Sequence, residues 1–217
     1  MVKEDDVASL RGQPELLKPW AQDAYREGKT FHDVIVAIYG VDLPLEAYVF
    51  HRSRPRELEF PVDRFFHPWE LIEMAGPRYK GDSIGERYAE QETKELERNP
   101  DFLPLMLLVA GETELDGYVI GYSLEQLAQG KTTILGHSDG IAEADKRSVV
   151  LGDSLLSVLQ QWMTRFHEME LADYQHPANR RRGSDNHVEN ATQWLKDLEQ
   201  LRRKVAEQQL AADRSTS

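Results

Sequence analysis

The chain has 217 residues, 40% of them hydrophobic, which suits one large domain or one domain with an appendage. It contains no cysteine, which excludes disulfides and thiol chemistry and is compatible with a cytoplasmic location. Its formal net charge of −12 disfavours nucleic-acid binding, because affinity for phosphates comes largely from Lys and Arg, and favours a basic partner. Solubility is an equally good explanation of that charge.

Nothing in the sequence predicts contact with a membrane. The segment from Met1 to Val7 is acidic and has no apolar core, so it is not expected to be a secretion signal. No window of the sequence reaches the roughly 18 apolar residues that a membrane-spanning helix needs. We therefore predict a cytoplasmic protein.

The first third of the chain predicts helices followed by a strand. A helix is indicated from Pro14 to Glu27, and a second begins after Thr30, which can cap it together with Asp33. Gly40 is expected to end that second helix. The segment from Val41 to Phe50 contains a Leu-Pro step and then an apolar stretch that fits either helix or strand, and we predict a strand.

Between Gly81 and Pro100 the sequence becomes rich in glutamate and has few large apolar side chains. This composition predicts a solvated helix with pairs such as Glu95 and Arg98. Each such pair stabilises a helix by only about 0.2 to 0.5 kcal/mol. Packing of Tyr88 and Leu96 is therefore expected to anchor it.

The segment that follows predicts a meander of strands. Phe102 to Ala110 and Gly117 to Tyr122 are rich in residues that favour strands, and the acidic stretch between them suits a hairpin turn. After a short segment closed by Gly130, the residues from Lys131 to Gly136 indicate a third strand.

Two amphipathic helices are predicted at the C-terminal end. One begins near Asp153 or Ser154 and places large apolar residues at spacings of three and four. The domain prediction is a single domain over residues 1–174, a linker over 175–188, and a C-terminal helix with a frayed tail over 189–217. The last helix is expected to start at Asn190 and to pack on its own protomer, with a homodimer through it as the alternative.

The sequence gives little support for a catalytic or metal-binding site. His137, Ser138 and Asp139 are adjacent, and neighbours on an extended chain point to opposite sides, so they cannot form a relay; triads are assembled from distant positions. His32 and Asp33 lack the further ligands of a metal-dependent hydrolase, and Asp33 suits the first turn of a helix. No catalytic residue, metal site or cofactor is predicted.

The acidic residues Glu112, Glu114 and Asp116 at the predicted hairpin tip have two interpretations. They lack the longer pattern of oxygen ligands that a calcium loop needs, so a cation site is not predicted. The simpler interpretation is a solvated turn. The alternative, which we carry forward, is an acidic contact surface for a basic partner.

The order of these pieces resembles the SUKH superfamily, whose founding eukaryotic member is a yeast cell-wall-synthesis regulator. The resemblance extends over about Phe31 to Met163 and rests on the following motifs, in chain order: Tyr39-Gly40, Leu43-Pro44, Phe102-Leu-Pro104, Gly117-Tyr118-Val119, a strand ending near His137, and Asp153-Ser-Leu155. It implies an α+β fold with a central, mainly antiparallel sheet flanked by helices, with a C-terminal helical extension in this chain. Bacterial domains of this type are often immunity proteins that neutralise a toxin.

The sequence thus predicts a non-enzymatic protein-binding domain, most concretely an immunity protein that binds a basic toxin through Glu112, Glu114 and Asp116. Two other hypotheses stay open. One is a regulatory or scaffold protein of the same fold. The other is a hydrolase whose histidines and carboxylates converge from distant segments.

Overall fold

The computed structural model describes an α+β protein with a mainly antiparallel sheet, flanking helices and a C-terminal helix, which confirms the predicted fold class. Its described residues belong to two compact units, one built on the sheet and one on three helices. The residues that the structure describes are 4–11, 13–53, 62–65, 71, 93–108, 118–138, 148–175 and 185–215.

The sheet unit begins with a 3-10 helix, Glu4–Leu10, and two α-helices, α1 (Pro14–Arg26) and α2 (Phe31–Tyr39). The predicted start of α2 is confirmed, because the Thr30 hydroxyl accepts from the backbone N–H of Asp33 and the Asp33 carboxylate accepts from the Thr30 N–H. Gly40 ends α2 at a φ of 74°, where a side chain would be strained. The predicted apolar face of α2 is buried: Val34, Ile35, Ile38 and Tyr39.

The sheet contains five described strands in the order β1-β2-β3-β4-β5. The three pairings from β1 to β4 are antiparallel, so the predicted hairpin and third strand are confirmed. The strands are β1 (Val62–Phe65), β2 (Phe102–Leu108), β3 (Tyr118–Ser123), β4 (Ile134–Ser138) and β5 (Val149–Gly152).

Strand β2 lies between β1 and β3 and is buried along its whole length. This burial on both faces explains its continuous apolar sequence. Pro104 lies within it although proline has no N–H to donate to a neighbouring strand. The register between β2 and β3 shifts between Pro104 and Met106, and such a bulge is where a sheet tolerates proline.

Two short helices complete the sheet unit: α4, residues 93–98, and α5 (Leu124–Ala128). The Ser123 hydroxyl accepts from the backbone N–H of Gln126 and donates to the carboxylate of Asp101, 2.6 Å away. The other oxygen of Asp101 accepts from the Glu125 N–H. Asp101, the residue that precedes β2, therefore ties the start of α5 to the start of that strand.

The second unit consists of α3 (Leu45–Arg52), α6 (Leu155–Gln175) and α7 (Asp185–Ser215). The predicted strand over Val41 to Phe50 is wrong, because Leu45–Arg52 is helical. Its apolar run fits either structure, since a short fully buried segment has no periodicity to tell helix from strand. Residues 46–50 are all buried, and that burial outweighs the modest strand preference of Tyr48 and Val49.

A buried carboxylate of α3 caps the start of α6. Oε2 of Glu46 accepts from the Ser154 hydroxyl at 2.6 Å, and Oε1 accepts from the backbone N–H of Leu155 at 2.7 Å. Ser154 also accepts from the N–H of Ser157, so it is the N-cap of the two residues predicted for that role. Glu46 thus satisfies groups that the helix itself leaves unpaired.

Helices α6 and α7 pack against each other in antiparallel directions. Phe166 contacts Trp194 with ring centroids 6.0 Å apart, and His167 contacts Thr192. The residue numbers of the partners on α7 therefore fall as those on α6 rise. The predicted packing of the last helix on its own protomer is therefore confirmed, although α7 begins at Asp185 and remains helical to Ser215. A homodimer through α7 stays a prediction.

Candidate functional site

Strand β4 places His137 inside the sheet unit. His137 lies opposite Val119 of β3, and only 6% of its surface is exposed. Its ring lies 4.3 Å from the ring of Phe102, measured between centroids. A buried imidazole needs partners for both ring nitrogens, because an unsatisfied buried polar atom costs about 1 to 3 kcal/mol.

The first partner of His137 is Glu95 of α4. Oε2 of Glu95 lies 2.5 Å from Nδ1 of His137, and its Oε1 accepts from the Arg98 guanidinium at 2.9 Å. Glu95 is 1% exposed, although the glutamate-rich segment to which it belongs was predicted to be a solvated helix. A carboxylate at this depth is tolerated only when it is hydrogen-bonded and paired, and here both oxygens have partners.

The second partner of His137 is Ser148, the residue that precedes β5. Its Oγ lies 2.5 Å from Nε2 of His137 and also accepts from the side-chain amide of Asn99 at 2.9 Å. The other end of that amide, Oδ1 of Asn99, accepts from the backbone N–H of Asp101. The orientation of Asn99 is therefore set from both sides. We call these four residues, Glu95, Asn99, His137 and Ser148, the His137 network.

The His137 network has one arrangement of hydrogens that satisfies every member when the imidazole is neutral. Nδ1 donates to Glu95, Nε2 accepts from the Ser148 hydroxyl, and the Ser148 oxygen accepts from Asn99. This is the connectivity of a serine, histidine and carboxylate relay, in which the base removes the hydroxyl proton and the carboxylate fixes the ring. The same bonds also hold Ser148, and with it the start of β5, against the buried side of the sheet.

Beyond Ser148, β5 presents apolar side chains to solvent. Val149 is 54% exposed and Val150 is 65% exposed, and consecutive residues of a strand point to opposite faces. The next residue, Leu151, packs back onto β4, where it fills the space that a Cβ atom on Gly136 would occupy. Two exposed valines are therefore held between two anchored residues.

Strand β5 is also the last strand in the order of the described sheet. Its backbone pairs with β4 on one side, and no described strand pairs with its other side. An edge strand presents a row of N–H and C=O groups that can pair with an additional strand. The candidate functional site is this edge, Ser148 to Leu151, together with the His137 network behind it.

The sequence-predicted contact residues Glu112, Glu114 and Asp116 lie outside the described residues, as does Asp139. In the sequence His137 stands beside Ser138 and Asp139, yet its hydrogen-bond partners in the structure are 42 and 11 positions away.

Glu95 and Ser148 were missed, because an alternating charged helix gives no sign that one of its carboxylates is buried. The only available signal was the principle that relays join distant residues.

The other histidine considered, His32, lies on the exposed surface, where Nδ1 contacts the carboxylate of Asp42 at 2.9 Å. Its neighbour Asp33 belongs to the cap of α2 as predicted. Hydrogen bonds from the Thr30 side chain and backbone lower the pKa of Asp33 below its ordinary value. The pair His32 and Asp33 is therefore explained by local structure.

In the described part of the chain, no group of three or more His, Asp or Glu side chains is placed to hold a metal ion. None of the described helices is long and apolar enough to cross a bilayer. Comparison of the chain with protein-family models, with curated proteins and with solved structures finds no match.

Proposed function

We propose that this protein is a non-enzymatic binding protein that captures a basic protein partner, most concretely an immunity protein that neutralises a cognate toxin. The observation that carries the proposal is the edge strand β5 with its exposed pair Val149 and Val150. A partner that adds a strand gains main-chain hydrogen bonds there and buries both valines. The net charge of −12 favours a basic partner.

The anchoring of β5 supports a binding role in a second way. Ser148 is tied to His137 and Asn99, and Leu151 packs at Gly136 of β4. A strand held at both ends loses little conformational freedom when a partner docks on it, so less of the interaction energy is spent on ordering. In this proposal the His137 network is the support of the binding edge.

The acidic residues Glu112, Glu114 and Asp116 remain part of the proposal. They precede β3 in the sequence, and their carboxylates would steer a cationic partner toward the protein before docking. Neutralisation would then follow from occlusion of the toxin's active surface. A regulatory or scaffold role is the competing explanation of the same binding edge.

The first experiment is to tag the protein, recover it from its native host at low salt, and identify by mass spectrometry what accompanies it. We expect one basic protein in stoichiometric amount, whose toxicity this chain suppresses when the two are expressed together. Recovery of cell-envelope or signalling components alone, or of no protein, would contradict the immunity function.

The binding edge is then tested with the double variant V149T/V150T, which keeps β-branched side chains and so preserves the strand. We expect weaker binding of the recovered partner by calorimetry, because the apolar surface that docks becomes polar. Val36→Thr is the matched control, since Val36 is 44% exposed and belongs to α2, an element of the same unit other than β5. Equal affinities for the double variant and the control would exclude β5 as the contact.

A second candidate function, acyl transfer at Ser148, is favoured by the connectivity of the His137 network. Ser148 Oγ would attack an ester carbonyl and pass its proton to Nε2 of His137, while Glu95 stabilises the imidazolium. Nε2–H would then protonate the leaving alcohol, and water would hydrolyse the acyl-serine. The Asn99 amide donates to Oγ at 2.9 Å, and in this second function it would serve as a donor to the developing oxyanion.

A fluorophosphonate probe separates the two functions, because it forms a bond from phosphorus to an activated serine oxygen and releases fluoride. Acyl transfer predicts labelling of Ser148, identified by peptide mass spectrometry, and loss of labelling in His137→Gln. Ser157→Ala, which removes a hydroxyl from α6, is the control. If Ser148 of the folded protein is not labelled, acyl transfer is excluded, and the His137 network is left with the single role of supporting β5.

A further inference from the structure

The helical unit contains an open groove of about 630 Å³ between α6 and α7. It lies in the region where Gln160 of α6 contacts Arg202 of α7. Its volume falls within the range of about 300 to 1,000 Å³ typical of small-molecule sites. The side chains that line it are Ser157, Gln160, Gln161, Thr164, Arg165 and Arg202.

Each of the residues that line this groove has a polar or charged side chain, and they include two arginines but no carboxylate. That composition contrasts with the whole chain, in which 38 acidic residues outnumber 26 basic ones. Within the described residues, neither Arg165 nor Arg202 forms an ion pair, whereas Arg203, next along α7, is paired with Glu199 at 3.2 Å. The groove therefore concentrates positive charge on a negatively charged protein.

One of the two guanidinium groups is oriented by its surroundings. Arg202 donates to the side-chain oxygen of Gln160, which fixes the guanidinium at the groove while leaving its other N–H groups available. Ser157 adds a hydroxyl from the first turn of α6. Gln161 adds an amide that can donate or accept.

We propose that this groove binds a small phosphate monoester, with Arg165 and Arg202 holding the phosphate. Guanidinium groups match the paired oxygens of phosphate, and two of them balance its dianionic charge. Ser157 and Gln161 would contact the organic part, for which the groove has room. The inference concerns the helical unit alone and does not depend on the proposed partner of the sheet edge.

The test is calorimetric titration of the full chain with inorganic phosphate, AMP and citrate in about 0.1 M KCl, which limits unscreened interactions to roughly 10 Å. We expect AMP to bind more tightly than inorganic phosphate, because the groove also contacts its organic part, and both to bind more tightly than citrate. Absence of binding by phosphate and AMP, or equal binding of citrate, would overturn the assignment.

The double variant R165Q/R202Q locates the site. Both side chains are exposed, so the fold is expected to survive, which circular dichroism checks. Loss of two charge-assisted contacts is expected to weaken AMP binding by about tenfold or more. R203Q is the matched control and is expected to bind AMP like the unmodified protein. An R165Q/R202Q variant with unchanged affinity, or an R203Q variant with the same loss, would refute the groove as the site.

Discussion

Gly121 in β3 and Gly136 in β4 each lie where an added side chain would collide with a neighbouring group. At Gly121 that group is backbone, and at Gly136 it is a side chain. A Cβ atom on Gly121 would lie 2.1 Å from the carbonyl oxygen of Leu103, whereas one on Gly136 would meet the end of the Leu151 side chain at 2.6 Å. The backbone of β2 cannot move aside without disturbing its register with its two neighbouring strands, but a leucine can change rotamer.

We expect Gly121→Ala to lower the free energy of unfolding by about 3 kcal/mol and Gly136→Ala by about 1 kcal/mol, both measured by urea denaturation. We expect the larger loss for Gly121→Ala because the added methyl group would collide with backbone, which cannot relax by a change of rotamer. Equal losses for the two variants would mean that β2 and β3 relax around the added methyl group.

Thr30 controls the ionisation of Asp33. The hydroxyl and the backbone N–H of Thr30 both donate to Oδ2 of Asp33 at 2.7 Å, and these bonds lower the pKa of Asp33. We expect Thr30→Ala to raise that pKa toward its ordinary value, as followed by NMR titration, whereas Thr30→Ser keeps it low. An unchanged pKa in Thr30→Ala would mean that the backbone N–H is sufficient.

A lowered pKa in the folded state also fixes the sign of a pH effect on stability. The bonds to the Asp33 carboxylate contribute stability above the pKa of the unfolded chain, about 4, and this contribution is lost as pH falls through the lower folded pKa. The difference in stability between the unmodified protein and Thr30→Ala should therefore shrink in acid. Denaturation at a series of pH values measures it, and a difference that grows in acid would contradict the mechanism.

At the scale of elements, Glu46 joins α3 to the start of α6 inside the helical unit. Removal of its carboxylate in Glu46→Ala leaves the Ser154 hydroxyl and the Leu155 N–H without this acceptor. We expect a loss of about 1 to 3 kcal/mol in the free energy of unfolding. The control is Glu199→Ala, because its ion pair with Arg203 is exposed and such pairs contribute about 0.2 to 1 kcal/mol. Similar losses for both variants would refute a capping role for Glu46.

The elements that the sequence predicts correctly are those with a local signal. The cap at Thr30, the end at Gly40 and the strands around Gly121 follow from short-range chemistry. The helix Leu45–Arg52 was predicted wrongly because its conformation depends on burial of both faces, which residues far away in the sequence supply.

The candidate site follows the same division. Strand β4 was predicted, but β5 was not, and neither was the pairing of His137 with Glu95 and Ser148, because that pairing depends on how α4 and β5 lie against β4. The exposure of Val149 and Val150 also escaped prediction, since two consecutive valines indicate a strand without indicating an edge.

At the scale of the whole molecule, charge determines how the proposed partner would approach. With 38 acidic and 26 basic residues, the chain would attract the proposed cationic partner over a distance that falls as salt rises, because the Debye length is about 30 Å at 0.01 M and about 8 Å at physiological ionic strength. Attraction between whole molecules acts before contact and mainly raises the association rate. Apolar contacts such as those expected at Val149 and Val150 form afterwards and mainly slow dissociation.

The two contributions are separable by kinetics on the partner recovered from the host. We expect the association rate constant to fall as salt rises, while the dissociation rate constant changes little, because a docked strand and buried valines are insensitive to screening. The V149T/V150T variant should show the reverse pattern, a faster dissociation with the same salt dependence of association. Surface plasmon resonance across a salt series measures both constants. An association rate constant that does not depend on salt would show that charge has no part in recognition. A dissociation rate constant that depends on salt and is unchanged in V149T/V150T would place the contact on charged residues away from β5.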